Sequence, residues 1–283
     1  MTASAGARFV PHLLLTAMIA IWGGSWAVVK VALVELPPFV VVALRFLFSV
    51  LCLLPFLRPG IAAQLRTTAG PGLIAGTALV CGYLLQTAGM NETSASMGGF
   101  LAGLIVPLVG LGGFVWFHAR LGLLSVAGLV LSVAGMALLC WPDGGEGPRD
   151  TAFGIVLQVG SSTSYAAHIL LLSRFGRGAP TVPFCLWQLL FVAVVATGAA
   201  AANGDLAGDR VAAWCVADGP WLAIGYLGVL ATALGIGVQA RVQHRIPAVH
   251  VALLFALQPL FAAFVAWITI GDRLGALQLA GGL

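Results

Sequence analysis

Residues 161–168, Ser-Ser-Thr-Ser-Tyr-Ala-Ala-His, form the most polar run inside an apolar stretch, and their types suit binding rather than bond-breaking. At helical spacing Ser161, Ser164, Tyr165 and His168 fall at i, i+3, i+4 and i+7, on one face. A helix in lipid does not present such a stripe to hydrocarbon, so this face turns toward protein or a cavity. Interhelical hydrogen bonding, worth roughly 1 kcal/mol or less per contact, is the plainer alternative. His168 could sense or pass protons near neutral pH, although a lone membrane histidine is more often a satisfied packing residue. Trp22 and Trp26 form an i, i+4 aromatic pair beside the small Gly23, Gly24 and Ser25. Such rings stack on apolar groups or hold an ammonium by cation–π attraction.

Arg45 sits within an apolar run, where a guanidinium needs partners. It could meet a substrate carboxylate in a cavity, or clamp a structural ion or carbonyl. Lys30, near the end of the first apolar run, reads equally as a snorkelling lysine or a cavity group. Aligning Pro38 with Pro180 pairs Arg45 with Trp187, which suggests a polar outer vestibule and an aromatic inner closure. Tyr83, Gln86, Gln188 and Gln258 complete the polar inventory. The candidate cavity is therefore Trp22, Ser25, Trp26, Arg45, Tyr83, Gln86, Ser161, Ser164, Tyr165, His168, Trp187 and Gln258.

The apolar runs hold no Asp or Glu. Proton- and sodium-coupled carriers commonly place a carboxylate in the pathway, so a facilitated or weakly coupled process is favoured. No Ser/His/Asp constellation, HExxH or GxxxxGK[ST] is present, which argues against an embedded enzyme and an ATP-driven pump. Cys52, Cys81, Cys140, Cys185 and Cys215 stand apart without a CxxC, so no metal, redox centre or other cofactor is expected.

The elements that must carry these residues are membrane helices. Hydrophobic residues make up 60% of the chain and charged ones 8%, with mean hydropathy +1.06, whereas a soluble domain is roughly a quarter charged. Apolar runs at about 11–33, 38–57, 70–90, 96–117, 121–140, 152–172, 182–202, 219–239, 248–270 and 274–283 predict ten transmembrane helices. The last run is short, so the chain reads as ending inside its tenth helix. The first is too long for a signal-peptide core and reads as uncleaved. With both termini cytoplasmic, one side holds Arg8, Arg58, Arg66, Arg120, Arg174, Arg177, Arg241 and Arg245 and no acid. The other holds all nine acids with Arg149, Arg210 and Arg273. This sorting obeys the positive-inside rule. The sequence pI near 9.0 is thus topogenic and implies no nucleic-acid partner.

A duplication organises the elements. PLVGLGGFVWFHARLGLLSVAG, beginning at Pro107, is echoed by PLFAAFVAWITIGDRLGALQLAGG at Pro259. Residues 141–151 read as a periplasmic linker between repeats at 1–140 and 152–283. Five spans per half, an odd number, predict inverted repeats about an axis in the membrane plane, with the substrate near the midplane between them. Pro107 and Pro259 fall about mid-span, where each kinks its helix. Kinks at equivalent depth in both halves fit the lining of a central cavity. Gly72/Gly76 and Gly99/Gly103 are small-xxx-small faces, read as packing within the monomer.

IWGGSWAVVKVAL, the following Pro37-Pro38 and ALRFLFSV resemble the opening of EamA domains of the drug/metabolite transporter superfamily. YLGVLATALGIGVQ and VALLFALQPLFAAFVAWITIGDRLGALQLAGG resemble their close. The resemblance covers nearly the whole chain. It implies a ten-helix exporter of small metabolites, commonly amino acids, in the bacterial inner membrane, with amino-acid exporters of the YddG kind among its relatives. These domains normally complete the tenth helix, which here stops at Leu283. The expected partners are a small-molecule substrate and the lipid bilayer, with no obligatory protein partner. A sugar-phosphate or nucleotide-sugar exchanger of the same superfamily is the alternative. It would want several basic cavity residues, and only Lys30 and Arg45 are available. An exporter of aromatic or cationic drugs is a further reading.

Overall fold

In a computed structural model of the protein, the described residues are 5–57, 60–93, 98, 101–117, 122–139, 151–216 and 220–270. They are predominantly helical, with no strand among them. The elements are α1 (Ala5–Glu35), α2 (Pro38–Leu53), α3 (Ile61–Glu92), α4 (Ile105–Phe117), α5 (Leu123–Leu139), α6 (Ala152–Phe175) and α7 (Thr181–Ala202). A short α8 (Gly208–Val216) and α9 (Pro220–Gly225) follow, then a π-helix at Tyr226–Leu234, α10 (Gly235–Val242), α11 (Ala248–Phe255) and α12 (Gln258–Ile270).

Among the described residues, six helices are long and apolar enough to cross a membrane: Phe9–Glu35, Pro38–Phe56, Ile61–Glu92, Ala152–Phe175, Thr181–Ala202 and Pro220–Arg245. Shorter apolar helices cover Ile105–Trp116, Val126–Gly135 and Ala248–Ala262. Residues 141–150 of the expected linker and the run at 274–283 lie outside the described residues. Large apolar side chains such as Leu222, Leu123 and Val34 are more than four-fifths exposed. An aqueous surface rarely carries so much exposed apolar area, and lipid accepts it without penalty.

Local chemistry sets the ends. Pro37 and Pro180 precede α2 and α7 with extended backbone, placing chain with little helical freedom ahead of each first turn. Thr151 caps α6 by accepting from the Gly154 amide at 3.0 Å. Gly60, Gly178 and Gly204 turn the chain at positive φ, where side chains with a Cβ are strained. Two helices outrun the apolar runs that predict them: α1 continues past Lys30 to Glu35, and α3 begins at Ile61 rather than near 70.

Helices approach closely where glycine removes the Cβ. On α3, a Cβ at Gly72 would stand 2.6 Å from the Trp187 Cβ of α7, and one at Gly82 would stand 2.6 Å from the Tyr165 ring of α6. The Gly72/Gly76 face is thus buried against α7 within the chain. The π-helix and α10 repeat the device, with Gly228 against Phe48 of α2 and Gly235 against the Trp22 indole of α1. Around these contacts lie two buried apolar clusters, one built on α1, α4, α6 and α11, the other on α2, α3 and α7.

Candidate functional site

A cavity opens among α1, α2, α3, α6, α10 and the broken α4 and α11–α12 spans. It measures about 70 Å³. Since roughly 10–15 Å³ suffices for one water, it has room for several. Trp22, Ser25, Trp26, Arg45, Tyr83, Gln86, Tyr165, His168 and Gln258 all line it, and so do Met90 and Gln239. The rest of the lining is apolar, including Val29, Leu79, Ile105, Ile169, Ile236 and Phe255.

Among the described residues, Arg45 is the one charged group lining this cavity, and it is only 3% exposed. Its Nε donates to the Thr232 hydroxyl at 3.0 Å, and its guanidinium carbon lies 4.6 Å from the centroid of the Tyr83 ring. Among the described residues no carboxylate pairs with it; the single ion pair there is Asp205–Arg210, elsewhere in the chain. A desolvated guanidinium held on one edge and over a π-face keeps its terminal N–H groups available for an anionic oxygen.

The π-helix supports this placement. Its i→i+5 bonding is rare and recurs at functional sites. Here it turns several backbone and side-chain oxygens toward α1 and α2. The Trp22 indole N–H donates to the Ala231 carbonyl. Ser49 Oγ donates toward the Gly228 carbonyl at 2.7 Å, and the Tyr226 hydroxyl donates to the Ile21 carbonyl at 2.9 Å. With Arg45 on Thr232, four contacts clamp this segment against the first two helices.

Tyr165 donates to Gln86 Oε1 at 3.0 Å and meets Tyr83 edge-on with centroids 5.5 Å apart. His168 Nε2 lies 2.8 Å from Gln188 Oε1. Trp22 stacks with Phe255 at 5.5 Å between centroids. Lys30 lies outside the lining and donates to the Met90 carbonyl at 2.8 Å.

Three expected cavity residues stand elsewhere. Ser161 donates to the Gly82 carbonyl at 3.0 Å, and Ser164 bonds back to Gly160 of its own helix at 2.9 Å. The stripe on α6 therefore divides: its serines satisfy backbone, while Tyr165 and His168 reach the cavity. Trp187 is also off the lining, its indole N–H donating to the Leu65 carbonyl at 2.9 Å. Trp187 packs over Gly72, as Phe48 packs over Gly228.

Pro107 and Pro259 each lie just beyond a two-residue turn, at Gly103–Leu104 and Ala256–Leu257. Tight i→i−3 bonds form there, Leu104 to Leu101 and Val106 to Gly103 in one, Ala256 to Leu253 and Leu257 to Leu254 in the other. Proline cannot donate the bond a regular helix would need at this point. Ala102, Ile105, Phe255 and Gln258, flanking the two breaks, all line the cavity.

Gln239 was missed from sequence because it stood at the expected end of an apolar run. The helix in fact continues to Val242 and a 3₁₀ turn follows to Arg245, which draws Gln239 inside the bundle. An amide within an apolar run is itself a signal. Thr232 had no comparable mark beyond its place in the EamA-like Thr-Ala.

Known proteins resemble this arrangement. A transporter of undetermined character from Archaeoglobus fulgidus is 26% identical over 181 residues, which is 64% of this chain but only 54% of that protein. A "Probable amino-acid metabolite efflux pump" of Salmonella typhimurium is 25% identical over 282 residues, covering 93% of this chain and 88% of its own. A protein solved by crystallography shares the fold, with a TM-score of 0.78 at 18% identity over 96% of this chain and 92% of that one. The EamA-like transporter family profile matches residues 10–141 and again 152–283. With two such domains and a set of apolar helices long enough to span a bilayer, the chain belongs to the EamA-like transporter family of the drug/metabolite transporter superfamily and is a multi-pass membrane protein.

Proposed function

We propose that the protein exports small zwitterionic metabolites, amino acids foremost, from the cytoplasm across a bacterial inner membrane. The observation that carries this reading is Arg45: buried, lining the cavity, and without a carboxylate partner among the described residues. A substrate carboxylate supplies the missing anion, and the surrounding tryptophan and tyrosine rings accept an ammonium or an apolar side chain. A single cation among the described lining residues suits one carboxylate better than the two or more charges of a phosphate ester. The name carried by the Salmonella relative agrees with this choice.

The proposed architecture is ten helices in two inverted repeats, with both termini cytoplasmic. In its support, α3 packs on α6 and α7 while the π-helix and α10 pack on α1 and α2, so contacts exchange between halves. The glycine contacts exchange in the same way, Gly82 under Tyr165 and Gly235 under Trp22. Alternating access would follow from rocking the two proline-broken spans, which meet through α4 and α11, against their neighbours.

Purified protein in proteoliposomes tests the reading with labelled amino acids, sugar phosphates and aromatic cations on a panel. Amino-acid efflux with weak dependence on an imposed pH gradient is expected, since no carboxylate lies in the apolar runs. One-for-one exchange of a phosphate ester with no amino-acid movement would reject it. Strong proton dependence abolished by His168→Ala would instead reject weak coupling.

A further inference from the structure

Two of the cavity's polar side chains, His168 and Gln239, are not free to choose between donating and accepting. Gln188 Nε2 donates to the Phe184 carbonyl at 3.1 Å, an atom that can only accept. Its Oε1 is thereby the atom that faces His168 Nε2 at 2.8 Å. The imidazole must donate across that contact, so its proton sits on Nε2 and Nδ1 becomes the ring's acceptor. A second chain runs in parallel. Gln243 Nε2 donates to the Ile169 carbonyl and lies 3.2 Å from Ser173 Oγ, while its Oε1 accepts from Gln239 Nε2 at 2.7 Å. Gln239 Oε1 is left as an acceptor.

Both His168 and Gln239 line the cavity and are 3% exposed. Neither His168 Nδ1 nor Gln239 Oε1 has a donor among the described residues. The two chains converge on one stretch of α6, because Gln243 anchors on Ile169, the residue after His168. From there the path of contacts to Arg45 runs through Tyr165, one turn earlier on α6, and Tyr83 beneath the guanidinium.

We propose that His168 Nδ1 and Gln239 Oε1 form a fixed acceptor pair selecting substrates with an N–H or O–H donor away from the carboxylate. The proposal rests on the reading that Arg45 receives that carboxylate. The favoured class is amino acids, or similar small carboxylates, with a hydroxyl, amide or ring N–H in the side chain. A substrate lacking the donor displaces water and leaves two buried acceptors unpaired, so it is disfavoured. Gln188 and Gln243 do not line the cavity and act as positioning residues, holding the acceptors in orientation.

The test is counterflow in proteoliposomes with matched pairs: tyrosine and phenylalanine, threonine and valine, glutamine and methionine. The wild-type protein should favour the first of each pair by about tenfold or more. Gln239→Leu and His168→Phe should each bring the ratio toward unity. Gln243→Leu should lower the ratio in the same direction, because Gln239 can then rotate. Equal wild-type rates within every pair would overturn the acceptor pair while leaving amino-acid export standing. No movement of any amino acid would overturn both. The wild-type comparison decides the matter even if a variant fails to fold.

Discussion

Arg45 shows how much a single buried charge can organise. Its Nε bond to Thr232 and its stacking on Tyr83 orient a guanidinium that no described carboxylate neutralises. Arg45→Gln should reduce amino-acid efflux at least tenfold, and Arg45→Lys should recover little, because an ammonium lacks the planar fork. Efflux rates at saturating and limiting substrate separate weaker binding from slower turnover. Thr232→Val keeps the shape but removes the acceptor, leaving a buried charged N–H unpaired. A loss of about 1–3 kcal/mol is expected, read as a lower thermal midpoint in detergent. The candidate list drawn from sequence was rich in cavity residues because polar groups inside apolar runs have few places to go. It failed where a side chain could satisfy backbone instead: Ser161, Ser164 and Trp187 bond to carbonyls of α3 or their own helix.

Among the elements, α3 is the hub, pressed against α6 and α7 through its glycines. Gly82→Ala would set a Cβ 2.6 Å from the Tyr165 ring. Overpacking of this kind costs about 1–3 kcal/mol, and the displaced tyrosine should also slow transport. Gly70→Ala on the same helix meets nothing within 4 Å. It should be neutral or stabilising by up to about 1 kcal/mol, since alanine favours the helix. Thermal midpoints of the two variants, measured side by side, check the contrast. The long helices among the described residues were legible because apolar runs of this length leave the chain few alternatives in lipid. The π-helix was not, since Tyr226–Leu234 carries no residue pattern that distinguishes five-residue from four-residue bonding. Its winding is sustained by the partners it meets, Trp22, Arg45, Ser49 and Tyr226's own bond to α1.

For the molecule as a whole, the charge sorting makes a spatial prediction. Gln64, Thr67, Gly178, Arg241 and Arg245 gather at one end around a shared pocket. At another junction, Thr151 at the start of α6 bonds to Glu92 at the end of α3. In a background without native cysteines, Thr67→Cys and Gly178→Cys should react with an impermeant thiol reagent only from the cytoplasmic side. Asp209→Cys should react only from the outside. Labelling of all three from one side would reject the inverted arrangement.

The sequence by itself determined the apolar surroundings, the approximate course of the described helices and the duplication, because each rests on composition and spacing along the chain; the family came from the resemblance of its motifs. Apolar length, arginine placement and the Pro107/Pro259 echo are local or periodic properties that survive without coordinates. Only the tertiary structure decided which polar groups meet. Arg45 and Thr232 are 187 positions apart, and Gln243 reaches Ile169 across 74. Rotation of one helix by a single residue would carry either side chain to another face, since successive residues lie about 100° apart. Which face turns inward was set by glycine contacts and by the π-winding, and so the cavity's chemistry belongs to the packing rather than to any one segment.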